Sequence, residues 1–231
     1  MNTTPGPGNP ARGLSRRGRL AMLLINAWPL LHCAATCLAA GLPWARLPWR
    51  LAAALTVLYV VPPVIARALR WLLPACEGRH APGTRAFFAW WALFNLQVLF
   101  CRAPLLEELL RLVPGLYSLW LRLWGARIGR LTYWAAGLRI LDRSFLEIGD
   151  DVVFGACVRL NPHVLSRNHE GAMELVLATI TIGDRALVGG YSLLTAGTEI
   201  APDECTRAML LSPPFSHWAG GSRRTPRNPP A

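Results

Sequence analysis

Through the second half of the chain an aliphatic or aromatic residue recurs at every sixth position. The series runs Ile128, Trp134, Ile140, then after a shift of two Ile148, Phe154, Leu160, then Ile182, Val188, Leu194, Ile200. Glycine follows several of these, at Gly129, Gly149, Gly155, Gly183 and Gly189. One aliphatic residue per six is the period of a parallel β-helix, in which each step gives a short strand and a corner and three steps close a coil. The aliphatic side chain points into the narrow prism, and the glycine lets the backbone turn without collision. An antiparallel sandwich would instead alternate polar and apolar residues with turns every 8–12 positions. Because one coil cannot bury its own face, coils stack and their ends need caps. Residues 105–124 and 206–220 are the candidate caps, and the β-helix domain is expected over 125–220.

The first half has a different pattern. Residues 20–42 form a run of 23 without a formal charge, long enough to cross a hydrocarbon core of about 30 Å. It is also longer than the apolar part of a cleaved signal peptide. A second apolar run, 51–66, is shorter, and Pro62-Pro63 should kink or end its helix. Residues 20–85 therefore read as a membrane region with two apolar helices, with a hairpin dipping into one leaflet as the alternative. Trp44, Trp49 and Trp71 near the ends suit the headgroup layer. Residues 86–124 carry apolar positions at helical spacing, interrupted by Arg102, Glu107, Glu108, Arg111 and Arg122 and divided by Pro104 and Pro114. They read as amphipathic linking or capping helices, with 86–101 as a possible third span. Residues 1–19 are expected to be a disordered basic N-terminus and 221–231 a disordered tail.

Composition supports the membrane reading. Hydrophobic residues make up 53% and charged residues 16%, against roughly 25% charged in ordinary soluble domains. The net charge of +11 is concentrated at residues 1–85, which hold ten arginines and one acid, Glu77. Basic residues flanking apolar spans follow the positive-inside rule and favour both ends in the cytoplasm, although Arg46 and Arg50 in the connecting loop weaken that orientation. No nucleic-acid motif accompanies the charge, so nucleic acid is not an expected partner. The six cysteines show no CxxC pair and no metal spacing, and read as buried free thiols in a reducing compartment.

The ladder breaks at LNPHVLSRNHEG, Leu160 to Gly171. The gap from Leu160 to Ile182 is 22 residues, against 18 for one coil, so four residues are expected to leave the ladder as a loop. That loop holds His163 and His169, the latter beside Glu170. An imidazole is well matched to proton abstraction at neutral pH. A zinc site would need three convergent imidazoles, and His163, His169 and His217 are not at stacked positions, so no metal is expected. His32 reads as a membrane-helix residue and His80 as a solvated loop residue.

IGDDVVFGACVRL, ITIGDRALVGGYSLLTAGTEI and SPPFSHWAGG resemble the hexapeptide-repeat acyltransferases, a family that includes galactoside, maltose, serine and xenobiotic acetyltransferases. The chain also resembles the C-terminal hexapeptide domain of membrane-bound peptide-synthetase-like proteins and polylysine synthases. The resemblance covers about residues 122–220. It implies a left-handed parallel β-helix, an exception to the usual right-handed crossover. It further implies transfer of an acyl group, acetyl above all, from a coenzyme A thioester to a hydroxyl or amine, with no permanently bound cofactor. A histidine after the rung serves as general base. His163 matches that position, His169 is its rival, and Asn161 is the candidate for acceptor binding. Gly189 and Gly190 would let the substrate approach backbone N–H groups that stabilise the oxyanion. Ser192, Ala196 and Gly197 are candidates for the pantetheine groove between subunits of a homotrimer, Arg207 for the coenzyme's phosphates, and His217 for the C-terminal cap. The resulting expectation is an acyltransferase of the inner membrane, facing the cytoplasm, with a small-molecule or lipid-linked acceptor. The rival is a non-catalytic β-helix scaffold of a membrane complex.

Overall fold

The computed structural model describes residues 15–43, 45–73 and 75–224; expectations for residues 1–14, Trp44 and 225–231 lie outside them. Seven helices come first: α1 (Arg16–Asn26), α2 (Trp28–Ala40), α3 (Leu47–Tyr59), α4 (Val61–Leu72), α5 (Arg85–Arg102), α6 (Leu105–Arg111) and α7 (Leu116–Leu123). Ser15 caps α1 by accepting from the Gly18 N–H at 3.1 Å, so Arg16–Arg19 open a helix instead of continuing a disordered N-terminus.

The helices α1 and α2 run on over 25 residues and α3 and α4 over 26. At 1.5 Å per residue each is about 38 Å long, long enough and apolar enough to cross a membrane. The helix breaks just before the prolines, α3 ending at Tyr59 and α4 starting at Val61, yet the two run on as one segment. Pro62-Pro63 fall in the first turn of α4, where a missing N–H leaves no helical bond unmade. Two polar contacts tie the hairpin together: Arg50 Nε donates to Ala40 O at 2.7 Å, and His32 Nε2 meets Val57 O at 3.1 Å. Helix α5 is not a straight third span. It meets α6 at 80°, and Phe87, Trp90, Leu93, Gln97 and Phe100 are buried, some of them against the β-helix.

From Arg127 the chain winds a left-handed parallel β-helix with three sheets. Ile128, Ile148, Ile182, Ile200 and Trp218 lie in register on the first face, Trp134, Phe154 and Val188 on the second, and Ile140, Leu160, Leu194 and Ser212 on the third. All ten ladder positions therefore point inward. Nine are buried; Trp134, at the open end, is half-buried and stacks on Phe154 at 4.9 Å. Coils are knitted by bonds such as Gly149 N to Ile182 O and Gly183 N to Ile200 O, both 2.8 Å. A Cβ at Gly149 would stand 2.7 Å from the Asp184 backbone nitrogen, so only glycine permits that stacking distance. Corners repeat as well: Arg185, Tyr191, Gly197, Asp203, Met209 and Phe215 all have φ between +56° and +68°. For the non-glycines this is of order 1 kcal/mol of strain each, offset by coil stacking.

The break in the ladder is larger than its spacing predicts. Leu160 pairs with Leu194, 34 residues on, whereas Leu194 pairs with Ser212, 18 residues on. Sixteen residues, not four, leave the coil, because Leu160 to Ile182 spans a single six-residue step. They pair with one another as an antiparallel hairpin of His163–Arg167 and Met173–Leu177. Gly78–His80, from the α4–α5 connection, adds a third strand.

Helix α7 caps the first coil, burying Tyr117, Trp120, Leu121 and Trp124. Residues 206–220 form most of the last coil instead of a separate cap, and its inward positions turn polar. Thr198 Oγ1 meets Ser212 Oγ at 2.9 Å, and the Trp218 indole donates to the same oxygen at 2.8 Å. Ser222–Arg224 then folds back antiparallel on His217–Ala219, so the first residues of the expected tail are ordered. The cysteines are free, but none is buried: Cys33, Cys37, Cys76 and Cys205 are exposed and Cys101 and Cys157 half-buried.

Candidate active site

Two irregularities of the ladder meet at one point. The first is the shift of two between Ile140 and Ile148, which inserts a bulge containing Asp142 and Arg143; the second is the hairpin, which begins at His163. Asp142 Oδ2 bonds His163 Nδ1, and Asp142 Oδ1 accepts from the Trp90 indole of α5 at 3.1 Å. Asp142 is 1% exposed, so both its oxygens are held by donors. A carboxylate on Nδ1 fixes the tautomer with the proton there and leaves the Nε2 lone pair outward. The ring packs against Trp90 and Phe94, with centroids at 4.8 and 5.3 Å, and its side chain is 12% exposed. Nε2 bonds nothing among the described residues and is not sealed from solvent. Helix α5 thus roofs a narrow niche around the ring.

His169 stands in contrast. It is exposed at the hairpin tip, in a turn organised by Asn168 Oδ1, which accepts from Glu170 N at 3.0 Å and Ala172 N at 2.9 Å. Glu170 does not orient its ring by any bond among the described residues. Neither histidine lines either of the two cavities discussed below.

The remaining expected residues divide between two edges of the prism. Asn161, Ala196 and Gly197 lie with His163 on the edge where the hairpin emerges. Gly197 N bonds Ala178 O at 3.4 Å, and Gly197 helps line a cavity of about 280 Å³ with Thr181 and Phe215. Glu77, Glu147 and Glu199 line it too, an unfavourable surface for the coenzyme's phosphates but compatible with its neutral pantetheine arm. Ala196 itself is fully buried. Gly189, Gly190, Ser192 and Arg207 sit at a different corner. There the Gly189 N–H is already taken by Thr206 Oγ1 at 3.1 Å, which removes it as an oxyanion donor. The Ser192 hydroxyl donates to Gly189 O at 2.6 Å and accepts from Leu210 N at 3.1 Å, so it knits coils and faces no groove. The Gly190 N–H makes no bond among the described residues. The Arg207 side chain is exposed. His217 pairs with Glu199 at 3.1 Å on the outer face of the first sheet.

Beneath the niche lies a buried ionic network that composition does not announce. Arg143, fully buried, pairs with Glu107 of α6 and donates to Gln97 Oε1 of α5 at 2.9 Å. Glu107 also takes Arg111 at 3.1 Å and the Tyr117 hydroxyl, and Glu108 bonds Arg111 at 2.7 Å and Gly137 N at 2.9 Å. Burial opposes the charge on Arg143, and the adjacent Glu107 more than offsets it, raising its pKa above the ordinary guanidinium value. Burial, then Glu107, push the Tyr117 hydroxyl well above the usual phenol range.

Asp142 and Trp90 escaped the sequence reading, yet a signal existed. The two-residue shift after Ile140 was a break in the ladder just as LNPHVLSRNHEG was, and it holds the only acid between Glu108 and Glu147. Nothing in the sequence pairs that acid with an indole fifty residues earlier.

No family model and no curated protein matches the chain. Solved structures do. A hexapeptide-repeat acetyltransferase from Vibrio cholerae aligns at 20% identity over 55% of this chain and 89% of its own, with a TM-score of 0.37. A maltose O-acetyltransferase from Clostridium difficile aligns at 18% over 54% and 82%, with a TM-score of 0.36. A galactoside acetyltransferase in complex with coenzyme A aligns at 15% over 55% and 80%, with a TM-score of 0.34.

Proposed function

We propose that the chain is a membrane-anchored acyltransferase that moves an acyl group, acetyl above all, from a coenzyme A thioester to a hydroxyl or amine. The observation that carries this reading is His163 held on Nδ1 by buried Asp142 with Nε2 unengaged. A neutral acceptor is a weak nucleophile. Nε2 takes its proton as the oxygen or nitrogen attacks the thioester carbonyl. The tetrahedral intermediate then collapses, the C–S bond breaks, and the imidazolium returns the proton to the departing thiolate. Asp142 is a positioning residue: it holds the productive tautomer and steadies the imidazolium. The unbonded Gly190 N–H is the remaining candidate for the oxyanion, and Asn161, Gly197 and Arg207 for acceptor and coenzyme. Because these residues occupy different edges of one prism, the reading requires a groove between copies, with a homotrimer as its expected form. Helices α1 to α4 anchor the assembly, with the β-helix on the cytoplasmic face of the inner membrane and an acceptor that is small or lipid-linked.

A second reading rests on the exposed ring of His169 at the tip of the sixteen-residue hairpin, which could reach the groove of a neighbouring copy. Both readings are tested on the full chain in detergent by measuring coenzyme A binding and acetyl-CoA turnover. His163→Ala should lower turnover by about 10²- to 10⁴-fold with coenzyme A binding retained, while His169→Ala leaves it near wild type. The opposite result assigns the base to the hairpin tip. Absence of coenzyme A binding would reduce the β-helix to a scaffold.

A further inference from the structure

A cavity of about 130 Å³ sits in the elbow between α5 and α6, walled on the other side by the third sheet. Its polar lining is Arg139, Arg159, Asn161, Arg143 and Glu107. Arg139 and Arg159 occupy adjacent coils in direct register, so their backbones stand about 5 Å apart. Both are exposed, and neither guanidinium has an ion pair or hydrogen bond among the described residues. Like charges facing each other across neighbouring strands are destabilising. Elsewhere the outer faces avoid this: Arg127 is stacked on Glu147, and Arg185 is paired with Asp203.

The only carboxylate in the cavity wall does not neutralise them. Both Glu107 oxygens are occupied by Arg143, Arg111 and Tyr117. With Glu108 bonded to Arg111, two acids balance two arginines, and Arg139 and Arg159 are left uncompensated. Arg143, fully buried and part of the same wall, keeps an Nε donor with no partner. The Asn161 amide adds a further unbonded group. The space has room for several waters, hence for one phosphoryl group, and guanidinium forks match phosphate oxygens in pairs.

The cavity wall also neighbours the candidate base along the chain: its residues Leu141 and Asn161 directly precede Asp142 and the Pro162-His163 pair. We propose that Arg139 and Arg159, with Asn161, form a subsite for a phosphoryl group on the acceptor. Calling the anion part of the acceptor rests on the acyl-transfer reading. The anion binding itself does not. The anion is assigned to the acceptor because Arg207, the candidate for the coenzyme's phosphates, lies on a later coil at another corner.

The test uses the full chain in detergent and in phosphatidylcholine nanodiscs. Binding of glycerol 3-phosphate is measured for a soluble acceptor and of phosphatidic acid doped into the nanodisc for a lipid one, each against Arg139→Gln, Arg159→Gln and the double variant. At least one probe should bind the wild type. Each single variant should weaken it by tenfold or more, and Arg127→Gln, on another face, should not. Which probe binds names the source of the phosphoryl group. Equal binding by wild type and the double variant overturns the subsite, as does a parallel loss of coenzyme A affinity, which would give the arginines to the donor. Phosphate binding by a protein that ignores coenzyme A keeps the subsite and removes the acyl-transfer reading.

Discussion

The β-helix and the helical elbow solve the problem of burial in opposite ways. In the coil, each six-residue step buries one apolar side chain directly over its counterpart one coil earlier, and only toward the last coil do Thr206 and Ser212 replace it. At the elbow, α5 and α6 are fastened to the first coils by charge: Glu107 and Arg143 are buried together with Gln97 and Tyr117, and the Arg111 side chain is 6% exposed. A stack of equivalent steps tolerates the loss of one contact. A buried ionic knot does not, because removing one member strands another in a medium that cannot solvate it. The candidate histidine lies where these two regimes touch.

The sharpest way to break this contrast is Glu107→Ala. It leaves Arg143 and Arg111 without their common carboxylate and should cost about 3–5 kcal/mol, read by chemical denaturation of the full chain in detergent. Leu160→Ala opens a cavity inside the second coil and should cost about 2–4 kcal/mol by the same measurement, without disturbing the α5–α6 junction. Alkaline pH probes the knot through Tyr117. The folded state holds Tyr117 protonated beyond the usual phenol range, whereas the unfolded chain releases that proton near pH 10. Stability should therefore be intact below that point and fall as pH rises above it. Tyr117→Phe should flatten that limb in pH-dependent denaturation. Arg127→Ala removes a solvent-exposed pair with Glu147 and should change stability by less than about 1 kcal/mol.

The same division governs what the sequence reveals. The coil's inward positions were legible because each repeats its neighbour's environment: Ile148, Ile182 and Ile200 announce one another. The last coil was not, since Thr206 and Ser212 satisfy the prism with hydrogen bonds in place of aliphatic bulk. The hairpin was visible as an interruption but underestimated, because its Met173–Leu177 strand reads as another apolar rung. His163 was found through that interruption. Asp142, Trp90 and the Arg143–Glu107 pair were not, because they depend on a docking of α5 and α6 that no local periodicity encodes. Helix α5 reads as a greasy segment whether it faces lipid or protein. Only the fold reveals that part of that face is a roof over the niche.

The central claim is that His163, oriented by Asp142, works on a thioester bound between β-helices. The most direct measurement is an experimental structure of the full chain with a non-hydrolysable acetyl-CoA analogue and a bound acceptor. The account predicts the acceptor's hydroxyl or amine about 3 Å from His163 Nε2, beside the thioester carbonyl, with the Asp142 contact intact. An acyl group seated against His169 of a neighbouring copy, or a His163 ring still closed under Trp90 and Phe94 with the ligand elsewhere, would contradict it.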